Sequence, residues 1–246
     1  MHNRNLLVRY KLTISYDGTD FHGWQVQKDQ RTIQGTIEEA LNKIFDTGIR
    51  IIGAGRTDCG VHALGQVAHI NIETQFPTDK IKIALNGNLP LDVRIEAVEE
   101  TSPDFHARYS AKGKLYRYLI THRYTPFTRH YRWFLEKSLD YESIKKATKL
   151  IIGRRDFTPL AGSLEGRSPI CEVRRIELTR SDEEIIIQIE GDRFLRQMVR
   201  RIVGLLIDVG RGKRTPEEVC LLIEKKKEFS YQIAPAQGLY LVKVSY

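Results

Sequence analysis

The sequence predicts an α+β fold of two split βαβ halves, ferredoxin-like in outline, sharing a largely antiparallel sheet with helices packed on one face. Three observations predict it. The first half reads strand, helix, strand, strand, helix, strand by its periodicities. The second half repeats that order in pattern, though not in sequence. Cap and turn residues punctuate most of the junctions. The halves divide into 1–105 and 106–246.

Leu6 to Tyr16 alternates, with Val8, Tyr10, Leu12, Ile14 and Tyr16 on one face and Arg9, Lys11, Thr13 and Ser15 on the other, as a half-buried strand does. It stops at Asp17-Gly18. The loop from Thr19 to Gln27, with Phe21 and Trp24, suits either contact with bases or a loop pinned by its own aromatics. Thr36 and Glu39 read as a capping box opening a helix whose Ile37, Ala40, Leu41, Ile44 and Phe45 recur at helical spacing. Strands at Ile49 to Ile52 and Val67 to Ile72 flank a glycine-rich loop. A helix from Thr78 to Asn86 and a strand from Val93 to Val98 follow.

In the second half, Lys114 to Ile120 reads as a strand grouping Tyr116, Tyr118 and Ile120. A helix opens near Asp140, carries Ile144, Ala147, Ile151 and Ile152, and stops at Gly153. Arg155 to Pro169 reads as an exposed loop, followed by strands at Val173 to Thr179 and Ile185 to Glu190. From Arg193 to Val209 an amphipathic helix is expected, with Phe194, Met198, Ile202 and Leu205 on one stripe and Arg193, Arg196 and Arg200 on another. That second stripe is either a solvated face or a clamp for phosphate or carboxylate. Thr215, Pro216 and Glu218 signpost a further helix ending in Lys225-Lys226-Lys227, and Leu239 to Tyr246 alternates as a last strand.

Composition narrows the function classes. At 246 residues and 41% hydrophobic content the chain can bury substantial cores. No apolar run reaches the ~20 residues of a membrane span, and Met1 to Arg9 lacks a signal-peptide core, so a cytoplasmic protein is expected. Cys59, Cys171 and Cys220 are odd in number and far apart, against a disulfide framework. The 39 Lys and Arg against 31 Asp and Glu give +8, which suits a polyanionic partner.

Gly53 to Gln66 is the densest chemistry. Four glycines surround Arg56 and Asp58, a density tolerated where a chain turns sharply or approaches another closely. A dinucleotide fingerprint fails, because its third glycine falls on Asp58, whose carboxylate repels a pyrophosphate. Cys59, His62 and His69 lack a second metal-ligand pair at finger-like spacing, so no metal is expected. On residue chemistry alone, Asp58 reads as a turn residue bonding its own amides before it reads as a catalytic group. Further on, Phe105 to Leu135 has no acidic residue and interleaves seven Arg and Lys with nine aromatic rings. That pattern fits single-stranded or looped RNA, and equally a strand with a buried aromatic face and a solvated basic one.

These residues carry a resemblance. Tyr16-Asp17-Gly18-Thr19 with Gly23-Trp24-Gln25, then Gly53 to Gln66, Phe105-His106-Ala107-Arg108, Tyr116-Arg117-Tyr118, Met198-Val199-Arg200 and Ala234-Pro235-Ala236 with Gly238-Leu239-Tyr240 resemble the tRNA pseudouridine synthase A family over nearly the whole length. The resemblance reverses the preference at Asp58. It implies Asp58 as the essential carboxylate, Tyr116 as the active-site tyrosine and Arg200 as the carboxylate's partner. Contacts with tRNA are implied for Arg56, as a wedge at the displaced base, and for Thr57, His62 and Arg108. They are also implied for Lys114, Arg117, Phe194 and Arg196. The pseudouridine synthase fold with a basic cleft between its halves, a homodimer and no cofactor are implied as well. Asp192-Arg193 departs from the family's pattern, and the Leu164 to Arg174 loop has no match in it.

Two other classes compete. A non-catalytic RNA-binding protein of two RRM-like halves explains the charge and the aromatics but gives no reason for a carboxylate among arginines. A hydrolase of N-glycosidic bonds, pairing Asp58 with Asp17 or Asp20, predicts free uracil as product.

Overall fold

The computed structural model describes residues 7–46 and 48–246, so Leu6, where the first strand was expected to begin, lies outside the described residues. The chain forms two compact units. The first holds the described residues up to Lys112 together with Leu241–Tyr246, and the second holds Gly113–Tyr240.

The first unit contains β1 (Leu7–Tyr16), α1 (Ile33–Phe45), β2 (Ile52–Gly53), β3 (His62–Glu73), α2 (Thr78–Asn88) and β4 (Val93–Thr101). β1 lies between β4 and β3, antiparallel to both, and the two-residue β2 pairs with β3. This is the split βαβ order expected from sequence. The alternation of β1 does the sorting: Tyr10, Leu12, Ile14 and Tyr16 are buried, as are Ile37 and Leu41 of α1 and Ile81 and Leu85 of α2. α1 opens earlier than expected, because Thr32 is the cap: its hydroxyl accepts from the Gly35 N–H and its carbonyl from the Thr36 N–H. β3 also starts early, at His62, so the glycine-rich loop is shorter than the sequence suggested.

The second unit contains β5 (Gly113–Thr121), β6 (Trp133–Phe134), α3 (Tyr141–Ile151), β7 (Gly153–Asp156), β8 (Ile170–Arg180), β9 (Glu184–Gly191), α4 (Met198–Gly210) and α5 (Pro216–Ile223). β9 lies between β5 and β8, antiparallel to both, and β7 continues antiparallel on β8. The expected exposed loop from Arg155 is corrected here. Arg154 to Asp156 belong to β7, Phe157 and Leu160 are fully buried, and the Phe157 N–H is held by the Pro169 carbonyl.

The helix expected from Arg193 is corrected too. Asp192 accepts the Glu172 N–H on its side chain and donates its own N–H to the Glu172 carbonyl, which keeps the chain folded back on β8. Gln197 then takes a left-handed turn, φ 59°, and α4 starts only at Met198. α5 carries the predicted capping box of Thr215 and Glu218. Last comes β10 (Leu239–Ser245), whose residues from Leu241 onward belong to the first unit, beside β3. Among the described residues no helix is long and apolar enough to cross a membrane.

One buried histidine ties stability to pH. His69 on β3 is 2% exposed, its Nδ1 accepts the Ala107 N–H, and burial, with help from His106 and Arg9, lowers its pKa to about 4 from 6.5. The unfolded chain therefore binds more protons between those two values. The contribution is complete above pH 6.5 and drains away as pH falls towards 4, by on the order of 3 kcal/mol at full extent. Urea unfolding at neutral and mildly acidic pH should show this loss, and His69→Asn, which keeps an acceptor without a titrating ring, should flatten it.

Candidate active site and nucleic-acid surface

In the first unit the Asp58 turn is shaped by main-chain bonds. The Thr57 carbonyl accepts the Trp24 N–H at 3.1 Å, the Phe21 carbonyl accepts the Gly60 N–H at 3.3 Å, and the Asp58 carbonyl accepts the Val61 N–H at 3.2 Å. Side chains complete the frame. The Tyr16 and Thr57 hydroxyls are 2.8 Å apart, and Gln66, fully buried, donates to the Gly55 carbonyl at 2.9 Å. Burial pushes the Tyr16 hydroxyl up, against hydrogen bonds from Thr57 and Gln66.

Gly23 lets this frame close. Its φ is +85°, and a Cβ there would lie 2.6 Å from the Thr57 carbonyl oxygen, so only glycine fits against the turn. Phe21 and Trp24 are 1% and 2% exposed, which decides the reading of their loop: it is pinned by its own aromatics.

On this frame Arg56 is exposed and its Nε donates to Gln25 at 3.1 Å, Thr57 is buried, and Asp58 is half-exposed. His62, at the end of the turn, is 2% exposed; its Nδ1 accepts the Gly18 N–H at 3.1 Å and lies 3.1 Å from Asp17. Arg108, in the segment after β4, is exposed. Among the described residues no group of three His, Cys, Asp or Glu side chains gathers to hold a metal ion.

In the second unit β5 puts Lys114, Tyr116 and Tyr118 on one face and Arg117 on the other. Tyr116, 8% exposed, meets the Phe194 ring edge-on, centroids 5.3 Å apart. Phe194 reaches it from the turn after β9, not from a helix. Of the three arginines expected on one stripe, only Arg200 is helical. Arg193 is turned to the Ser168 and Ile170 carbonyls, and Arg196 is exposed with its guanidinium 3.8 Å from Glu165.

Arg200 is held by a strap that the sequence did not reveal. Its Nε donates to the Ala234 carbonyl at 2.8 Å, and its own carbonyl accepts the Ala234 N–H at 3.1 Å. The Tyr118 hydroxyl donates to Pro235 at 2.7 Å; burial pushes that hydroxyl up and the nearby Arg200 charge opposes it. Asp208, just over two helical turns further along α4, accepts the Gln232 N–H at 2.9 Å. Ala234-Pro235 was visible as a motif, but a backbone clamp leaves no periodic or charge pattern to find.

The aromatic and basic segment divides between its two readings. Tyr116, Tyr118 and Trp133 are buried, whereas Tyr109, Tyr124 and Phe127 are 75%, 61% and 87% exposed. The first unit thus offers a carboxylate on a turn fixed by backbone bonds, and the second, by itself, a tyrosine ring seated on a phenylalanine and a guanidinium oriented through one nitrogen.

Comparison with known proteins shows the family. Residues 12–110 and 147–246 match a family model described as tRNA pseudouridine synthase. The tRNA pseudouridine synthase A of Acetivibrio thermocellus is 43% identical over 240 residues, covering 96% of this chain and 98% of its own. That of Caldicellulosiruptor saccharolyticus is 43% identical over 249 residues, covering 99% and 100%. That of Limosilactobacillus fermentum is 40% identical over 249 residues, covering 97% and 96%. With similarity running along nearly its full length, the chain belongs to the tRNA pseudouridine synthase A family.

Proposed function

We propose that this protein isomerises uridine to pseudouridine in the anticodon stem-loop of tRNA, at nucleotides 38 to 40, with Asp58 as the essential carboxylate and Tyr116 and Arg200 as its catalytic partners. The observation that carries the reading is the Asp58 turn, built by backbone bonds and a glycine contact that leave its side chain half-exposed. The reaction breaks the N1 to C1′ bond of uridine, turns the base, joins C5 to C1′ and releases the C5 proton while N1 gains one. No electrons are gained or lost. A base in a folded stem-loop must first leave its stack, at a cost of a few kcal/mol.

Arg56 is exposed beside the carboxylate in sequence and serves as the wedge that holds the gap. Asp58 acts at C1′ or on a sugar proton, which requires it ionised, and a guanidinium such as Arg200 favours that state. Tyr116 supplies a ring for the base. Thr57 and His62 support the turn, while Arg108, Lys114, Arg117 and Arg196 bind phosphates, with Phe194 seating Tyr116. The enzyme works as a cytoplasmic homodimer that grips its tRNA through distributed cations, so affinity falls steeply with salt.

Tritium release from tRNA carrying 5-tritiated uridine, with analysis of the nucleoside product, tests this. Pseudouridine at positions 38 to 40 without free uracil is expected. Free uracil means a hydrolase, and no release means a binding protein. Tyr116→Phe should keep tRNA affinity and change only steps that use the hydroxyl. Tyr116→Leu should weaken affinity by about tenfold or more, the scale of one lost base stack.

A further inference from the structure

Away from the carboxylate turn, the first unit presents an exposed ring on a packed support. Tyr109 is 75% exposed, yet its ring is not left to wander. It lies against His106 with centroids 4.4 Å apart and 36° between planes, and His106 lies against buried His69 at 4.8 Å. His69 meets Phe105 edge-on, and Phe105 meets Tyr246 at 4.9 Å. The backbone under this column is equally fixed. The His106 Nδ1 accepts the N–H groups of Arg108 and Tyr109 at 3.2 and 3.3 Å, so the imidazole carries its proton on Nε2. The Ala107 N–H donates to His69, the Ala107 carbonyl accepts the Tyr246 hydroxyl at 2.8 Å, and Arg9 donates to the Phe105 carbonyl at 2.9 Å. Arg108 sits over the Tyr109 ring, 5.5 Å from its centroid.

A single exposed aromatic needs no explanation, but one laid against a histidine that is itself packed on a chain of three further rings does. A ring ordered before its partner arrives loses little entropy on binding. The surroundings identify the partner. From Phe105 to Leu135 the sequence has no carboxylate, and Arg108, Ser110 and Lys112 flank the ring in sequence, a setting that repels a cationic surface and, with an exposed ring beside the charges, suits a polyanion with flat bases.

We infer that Tyr109, on its column of His106 and His69, is a stacking platform for an unpaired base of the tRNA, with Arg108 contacting the adjoining phosphate. The inference rests on the reading of this chain as an enzyme that acts on tRNA, and it adds a contact which that reading does not need. Because the ring's working face is its π surface, Tyr109→Phe leaves the affinity for tRNA unchanged, whereas Tyr109→Ala weakens it by about 5- to 100-fold. Stacking displaces no counterions, so Tyr109→Ala keeps the salt dependence of binding, while Arg108→Gln reduces its slope by about one phosphate contact.

The experiment is filter binding of purified protein to unmodified tRNA across a salt series, with the melting temperature and sedimentation of each variant measured in parallel. Weaker binding of Tyr109→Ala with unchanged melting and sedimentation supports the platform. An unchanged dissociation constant overturns it. A shift in oligomeric state with unchanged tRNA affinity also overturns it, assigning the ring to a contact between copies of the chain. Failure of the unaltered protein to bind tRNA would sink the functional reading itself, a different outcome from either.

Discussion

Asp58→Asn should lose isomerisation by about a thousandfold or more, the scale on which removal of an essential catalytic group is felt, while tRNA binding and the melting temperature stay close to those of the unaltered protein. The two halves of this expectation come from different atoms. The chemistry needs a negative oxygen at the ribose, and an amide of the same shape cannot carry that charge. The fold, in contrast, draws on Asp58 through its carbonyl, which accepts the Val61 N–H, and on its neighbours Thr57 and Gly60. None of those bonds changes in Asn. Single-turnover tritium release with excess enzyme measures the first half, and thermal melting with a binding titration measures the second. Isomerisation within tenfold of the unaltered enzyme would remove Asp58 from its assigned role.

Gly204→Ala should be the most damaging small substitution in the second unit. Alanine in a helix is worth about 1 kcal/mol over glycine, so the local term favours the change. Packing opposes it more strongly. A Cβ at position 204 would sit 1.8 Å from the Gln232 carbonyl oxygen and 3.0 Å from the Ala234 nitrogen, both main-chain atoms that cannot rotate aside. The strap must lift, taking with it the bond from Gln232 to Asp208 and the reciprocal pair between Ala234 and Arg200. At about 1 kcal/mol each, with Asp208 left buried beneath, the net loss is about 2 to 4 kcal/mol. Urea unfolding should report it. Because the same strap holds the Arg200 Nε, turnover at saturating tRNA should fall as well in whatever fraction remains folded. A variant as stable and as active as the parent would show that the strap yields freely.

The parts of this architecture that could be read in the sequence are those where one residue's chemistry acts locally. The alternation of Tyr10, Leu12, Ile14 and Tyr16, the box of Thr215 and Glu218, and the cap at Asp140 each fix an element through neighbours a few positions away. The misreadings fall where distant backbone decides. Thr36 and Glu39 form a credible start signal, but Thr32 supplies the cap that is used. Arg193 to Gln197 has helical spacing, yet Asp192 ties the chain to Glu172 and delays the helix. Arg155 and Asp156 look like a loop because a strand this short gains its identity only by pairing with β8.

The site divides the same way. Asp58 and Arg56, as proposed site residues, stand out through their motif, whereas the contact of Gly23 with Thr57 and the strap at Ala234 follow from which main chain passes which. No residue letter records that.

The Lys112 N–H donates to the Ser245 carbonyl, and the Tyr246 hydroxyl closes on Ala107 beneath the His106 column. The unit that bears Asp58 is therefore discontinuous along the chain. On the ribosome its last strand would emerge only after the entire second unit, so completing that unit carries the slow, long-range step of folding.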